Sequence, residues 1–171
     1  MGKNINDLKG IYSMLGGNNV MDFSEFKDKF EEDYNNQEFI NDRHVPVFFI
    51  SGHRDITQAE FDEYYKTAID KVIMLYDNCE FVVGDYHGVD IMAQQYLKIK
   101  DIENKRITVY HMFDKPRNLA TSEFNIKGGY KSDEERDAAM TNASDFDIAW
   151  FRKGKENSGT AQNIMRRHRM N

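Results

Sequence analysis

Three short stretches of the chain concentrate the residues able to do chemistry. Ser51-Gly-His-Arg-Asp55 brings together a hydroxyl, an imidazole, a guanidinium and a carboxylate. Gly84-Asp-Tyr-His-Gly-Val-Asp90 places two carboxylates and an imidazole around glycines, and Arg152-Lys-Gly-Lys-Glu-Asn-Ser-Gly-Thr160 sets cations ahead of two hydroxyls. Glycines in such loops let a ligand approach the backbone closely. In the third stretch Ser158, Gly159 and Thr160 are expected to open a helix. The free N–H groups and positive dipole end there attract an anion, and Lys153 and Lys155 add charge. The first strand–helix turn has no Gly-x-Gly-x-x-Gly, and no Gly-Lys-Ser/Thr follows at P-loop spacing, so ordinary NAD binding and a Walker loop are both disfavoured.

Each stretch follows a short apolar run, which is what positions it. Residues 45–50, 80–83, 107–113 and 146–151 read as strands, the first apolar almost throughout, as in a strand covered on both faces. Between them lie helical patterns. Thr57 and Glu60 form a capping box ahead of Phe61, Tyr65, Ala68, Val72, Ile73 and Tyr76. Val89, Met92, Ala93, Tyr96 and Leu97 mark a second helix, Ser132 and Glu135 cap a third through about Asn142, and the last runs from about Ser158 to Arg169. Asp114–Lys131 reads as a polar loop. This alternation predicts an α/β fold: a Rossmann-like parallel sheet of about four to five strands with helices on both faces. Ligands of such sheets bind beyond the carboxyl ends of the strands, where the three stretches fall. Residues 1–43 differ: Ile5, Leu8, Ile11, Tyr12 and Leu15, then Phe23, Phe26, Phe30 and Tyr34, have helical spacing, so an N-terminal helical extension is expected ahead of a domain over 44–171.

The ordered motifs resemble the SLOG superfamily of Rossmann-like nucleotide-binding proteins, nearest its YspA-like branch. That branch's strand ending in Ser-Gly-x-Arg appears as Ser51–Arg54, its Gly-x-x-x-Gly-Ala-Asp as Gly84–Asp90, its Arg-Asn-x-x-Met helix as Arg136–Met140, and its Gly-Thr as Gly159-Thr160. The resemblance spans roughly residues 45–168. It implies a nucleotide or nucleotide-derived ligand, with phosphate at Gly159-Thr160, Arg136 binding or polarising the ligand, and Gly84, Gly88 and Asp90 forming a second wall. Relatives include sensor domains and lonely-guy enzymes, which release a base from a nucleoside monophosphate. Those enzymes carry Gly-Gly-x-Gly-Thr-x-x-Glu, whereas the glutamate position here is Asn163 and the double glycine is replaced by Glu156-Asn157. A substitute carboxylate would come from Asp85, Asp90, Glu135 or Asp137, because glycosidic cleavage needs one beside an oxocarbenium-like centre. The readings are therefore a sensor or sequestering protein whose ligand-binding residues are Ser51, Gly52, His53, Arg54, Gly84, Asp85, Gly88, Asp90, Arg136, Ser158, Gly159 and Thr160. The alternative is an N-glycosidase with Asp85, Asp90 and Arg136 as catalytic candidates.

Composition bounds the rest. In 171 residues, 23 Lys plus Arg stand against 29 Asp plus Glu, a net charge of −6. That balance argues against indiscriminate binding to nucleic acid or anionic membrane. Residues 152–171 hold six Lys or Arg and one acid, so a basic segment begins in the loop expected to meet phosphate. Arg166, Arg167, His168 and Arg169 suit a helix C-terminus better than a nucleic-acid contact. A single cysteine, Cys79, excludes an internal disulfide and a multi-cysteine zinc site and fits a reducing, cytoplasmic setting. No apolar run approaches the roughly 20 residues of a membrane helix. His53, His87 and His111 with Asp55, Asp85 and Asp114 suggest a metal-dependent phosphoesterase, but they lack ligand spacing, so no metal and no cofactor is expected. Tyr86 and Phe113 are candidates to stack on a base, and a homo-oligomer is left open.

Overall fold

The computed structural model describes residues 45–100 and 102–169; the expected N-terminal helices lie outside them. Five strands, β1 (Val47–Ser51), β2 (Glu80–Gly84), β3 (Ile107–Met112), β4 (Asn125–Tyr130) and β5 (Phe146–Ala149), form one sheet in the order β4-β3-β2-β1-β5, with every pairing parallel. The chain steps outward from β1 to β4, then returns to pair β5 with the other side of β1. That reversal makes the carboxyl ends of β1 and β5 the topological switch point.

Strand alternation decides which side chains face which layer. Phe48 and Ile50 of β1 join Phe81, Val83, Ile107 and Val109 in a core closed by the helices over 58–75 and 89–99. Phe49, Val82 and Tyr110 point to the opposite face, where Met140 covers them. The segment α1 runs through Gln58–Phe61, a π-helical stretch Asp62–Lys66, and Thr67–Leu75. It starts in the expected capping box: the Thr57 hydroxyl accepts the Glu60 N–H while the Glu60 carboxylate accepts the Thr57 N–H. Helices α2 (Val89–Ile99), α3 (Asp133–Asn142) and α4 (Gly159–His168) follow, with α3 and α4 packed side by side.

One buried side chain ties the switch point together. The Tyr65 hydroxyl lies 2.9 Å from the Ser51 carbonyl oxygen and accepts the Trp150 N–H at 3.1 Å, joining the end of β1 to the end of β5. At the far end of the domain, Arg167 holds Asp147 and donates to the Ser144 and Thr141 carbonyls, so this member of the basic C-terminal group is used within the fold.

The stretch Asp114–Lys131, expected to be a polar loop, contains β4. As an edge strand it pairs only with β3 and exposes all but its last residue, so it leaves no apolar alternation to read. β3 and β5 are also shorter than the expected 107–113 and 146–151, ending at Met112 and Ala149. Phe113, with φ of 59°, begins the turn instead.

Candidate functional site

A cleft of about 590 Å³ opens beyond the carboxyl ends of β1 and β5, on the α3–α4 side of the sheet. Ser51, Gly52, His53 and Arg54 form one wall, Asp90 and Arg136 the base, and Ser158, Gly159 and Thr160 the opposite wall. Gly84, Asp85 and Gly88 do not line it; they shape it from behind. Gly84 is packed so closely that any Cβ would fall on the Asp90 carboxylate. Gly88, with φ of +80°, lies against the backbone of His53 and Arg54. Tyr86 reaches the cleft, its ring tilted 32° against that of His87 and lying under the Arg117 guanidinium (4.5 Å). Phe113 is 61 % exposed and does not line the cleft.

The donor side is built from α4. Ser158 is its N-cap, its hydroxyl accepting the Ala161 N–H at 3.3 Å. The Gly159 and Thr160 N–H groups precede the first intrahelical bond, so they face the cleft with the positive end of the helix dipole. Lys155 is also in this wall, whereas Lys153 is not. Across the cleft stands Ser51, 6 % exposed and on the same face of β1 as the cleft-lining Phe49. Its hydroxyl is the one buried side-chain polar atom among the described residues with no hydrogen-bond partner. Such a group costs about 1–3 kcal/mol unless something bonds it.

The base of the cleft is a network of carboxylates around Arg136, which is 6 % exposed. Its Nη1 meets Asp85 Oδ1 (2.9 Å) and Asp133 Oδ1 (3.1 Å), and its Nε and Nη2 both donate to Asp137 Oδ1 (3.1 and 2.8 Å). Asp85, fully buried, also takes the Arg117 guanidinium and backbone N–H. Burial pushes the Asp85 carboxyl up, but the hydrogen bonds and charge of Arg117, with the charge of Arg136, outweigh it and hold it below its ordinary value. Asp137 completes the wall: its Oδ2 accepts the Asn163 amide at 3.1 Å and lies 4.0 Å from where a Cβ on Gly159 would be. Asn163 is thereby oriented by both partners, since its Oδ1 accepts from Arg166 at 2.7 Å.

Asp90 behaves differently. Its Oδ2 accepts the Tyr86 N–H (3.0 Å), and burial raises its pKa to about 6 despite the nearby Arg136 charge. The folded carboxyl thus holds its proton more tightly than an unfolded one at 3.8. Its contribution to stability is whole below about pH 4 and is lost as pH rises through about 6, a loss of about 3 kcal/mol. Denaturation curves between those pH values should show that extra decline in the wild type relative to Asp90→Asn, in which the amide oxygen still accepts from Tyr86.

His53 and His87 both line the cleft, whereas His111 does not. His53 accepts the Arg152 N–H through Nε2 (2.9 Å), and burial, then the Arg152 charge, lowers its pKa. His111 sits beneath Gly128, away from the cleft. Among the described residues no three His, Cys, Asp or Glu side chains form a group able to hold a metal ion. Cys79 is buried, and its thiol pKa is raised by that burial. Asp133 and Arg117 enter the site network without having been singled out from the sequence; Arg117 lies in a polar segment with no periodicity to mark it. No helix of the described residues is long and apolar enough to cross a membrane. No protein-family model, curated protein or solved structure matches the chain.

Proposed function

We propose that the cleft binds a nucleotide or nucleotide-derived small molecule of the SLOG type, and that the protein acts as a sensor or sequestering protein for it. The observation that supports this reading is the buried, unpartnered hydroxyl of Ser51 in a cleft that Ser158, Gly159 and Thr160 of α4 also line. A phosphate there gains backbone N–H groups, the dipole and hydroxyl donors together. The cleft volume is within the range of small-molecule sites, and Ser51, Asp90, Arg136 and Thr160 are held by a strand or a helix. Ser51→Ala separates this role from a structural one. Removing an unsatisfied hydroxyl should leave stability unchanged or about 1 kcal/mol higher. The same change should weaken binding of nucleoside 5′-monophosphates about tenfold in calorimetric titration. Unaltered affinity in Ser51→Ala overturns the assignment.

Asp90 favours a second reading, an N-glycosidase that releases the base from a nucleoside monophosphate. A cleft carboxyl that stays protonated to about pH 6 is suited to give a proton to a departing base, while Asp137, held by Arg136, remains a fixed acceptor nearby. Free base detected by chromatography after incubation, and lost in Asp90→Asn, would establish this chemistry. Intact ligand recovered from the wild type after the same incubation favours the sensor.

A further inference from the structure

The two walls of the cleft have opposite hydrogen-bonding character, and they meet at Gly159. On the α4 side are N–H and O–H donors. On the α3 side stands Asp137, whose Oδ2 is 4.0 Å from the position of a Gly159 Cβ. A carboxylate offers about four lone-pair sites. Three are taken here: two on Oδ1 by Arg136 and one on Oδ2 by Asn163. The remaining site belongs to Oδ2, the oxygen nearest the α4 N-terminus. A bare phosphate centred at Gly159 would face this carboxylate with like charge and nothing to bridge them. A ligand with a hydroxyl a few bonds from its phosphate turns the repulsion into a charge-assisted hydrogen bond. Arg136 fills both sites of Oδ1 while also serving Asp85 and Asp133, so the open site on Oδ2 takes one donor, and a ligand hydroxyl supplies it.

We infer that Asp137 is a specificity-determining residue that accepts a ribose hydroxyl, so that the cleft takes ribonucleotides in preference to their deoxy counterparts and to free phosphate. This rests on the nucleotide-binding reading above and narrows its ligand class. A hydrogen bond to an ionised, oriented acceptor makes loss of the hydroxyl costly in affinity.

The test is calorimetric titration of the full chain with adenosine, guanosine, cytidine and uridine 5′-monophosphates, their 2′-deoxy and 3′-deoxy forms, and inorganic phosphate. The wild type should bind at least one ribonucleotide about 10- to 100-fold more tightly than one of its deoxy forms, with inorganic phosphate weaker still. Asp137→Asn, checked for a native melting transition, should reduce that preference to threefold or less while retaining binding. Equal affinity for ribo and both deoxy forms in the wild type overturns the inference and leaves the nucleotide reading intact. A preference that persists undiminished in folded Asp137→Asn also overturns the role given to Asp137. Absence of binding by all the nucleotides overturns the nucleotide reading itself. Should Asp137→Asn fail to fold, the wild-type comparison of the two deoxy forms still decides whether a hydroxyl is read.

Discussion

Replacing Arg136 with methionine is expected to cost the folded state about 3–5 kcal/mol, the range for breaking a buried ion pair by removing one partner. The size follows from what would be left behind. Asp85 is fully buried and would keep only Arg117; Asp137 would lose both contacts on Oδ1; Asp90 would lose the one nearby positive charge opposing its burial. Methionine fills much of the volume, so the loss reports charge rather than a cavity. Chemical denaturation measures it, with Arg136→Lys expected to lie between the two because a lysine keeps the charge but cannot serve three carboxylates in a plane. A loss below about 1 kcal/mol in Arg136→Met would show that these carboxylates find other compensation. A binding defect in such a variant reports the collapse of the site's base, which is why Ser51→Ala is the cleaner probe of ligand contact.

The second large effect is expected at Gly88. Its φ of +80° and ψ of −130° suit glycine, and an added Cβ would overlap the His53 carbonyl oxygen and lie 2.5 Å from Arg54 Cα. Gly88→Ala therefore combines backbone strain with a backbone collision, together about 2–5 kcal/mol. The His53–Arg54 wall must move, since the Val89 N–H donates to the His53 carbonyl at this contact (3.2 Å). Denaturation midpoint and ligand affinity should fall together. A stable Gly88→Ala protein with wild-type affinity would contradict the close packing of the two loops. The contrast with Ser51→Ala, which should lower affinity without lowering stability, separates the frame of the cleft from its contacts.

How much of this was legible in the sequence depended on burial. The apolar runs at 45–50, 80–83 and 107–113 read as strands, and the strands formed there, Val47–Ser51, Glu80–Gly84 and Ile107–Met112, are the inner three of the sheet. The Thr57 and Glu60 capping box formed as its spacing implied. β4 was hidden because it is exposed along most of its length and pairs on one side only. The loops gathered at one edge of the sheet because parallel topology puts every strand's carboxyl end there, so the composition of the cleft walls was readable before their geometry. The partners of each charge were not readable. Arg136 stood out as a ligand residue, yet its guanidinium is surrounded by Asp85, Asp133 and Asp137, contacts that join α3 to the end of β2 across 51 residues of sequence in the Asp85 case. Gly84, Asp85 and Gly88 carried a glycine-rich motif's promise of ligand contact and instead shape the wall behind it. The free hydroxyl of Ser51 has no sequence signature at all: only the absence of a neighbour in three dimensions reveals it.

The central claim is that an anionic ligand seats between Ser51 and the first turn of α4. Backbone amide NMR of uniformly labelled protein, titrated with nucleoside 5′-monophosphates, tests it most directly. The Gly159 and Thr160 amide signals should shift progressively toward hydrogen-bonded values, together with those of Gly52 and His53 beside Ser51, and the shifts should shrink in Ser51→Ala. Saturable shifts confined to other surfaces, with Gly159 and Thr160 unmoved, would contradict it.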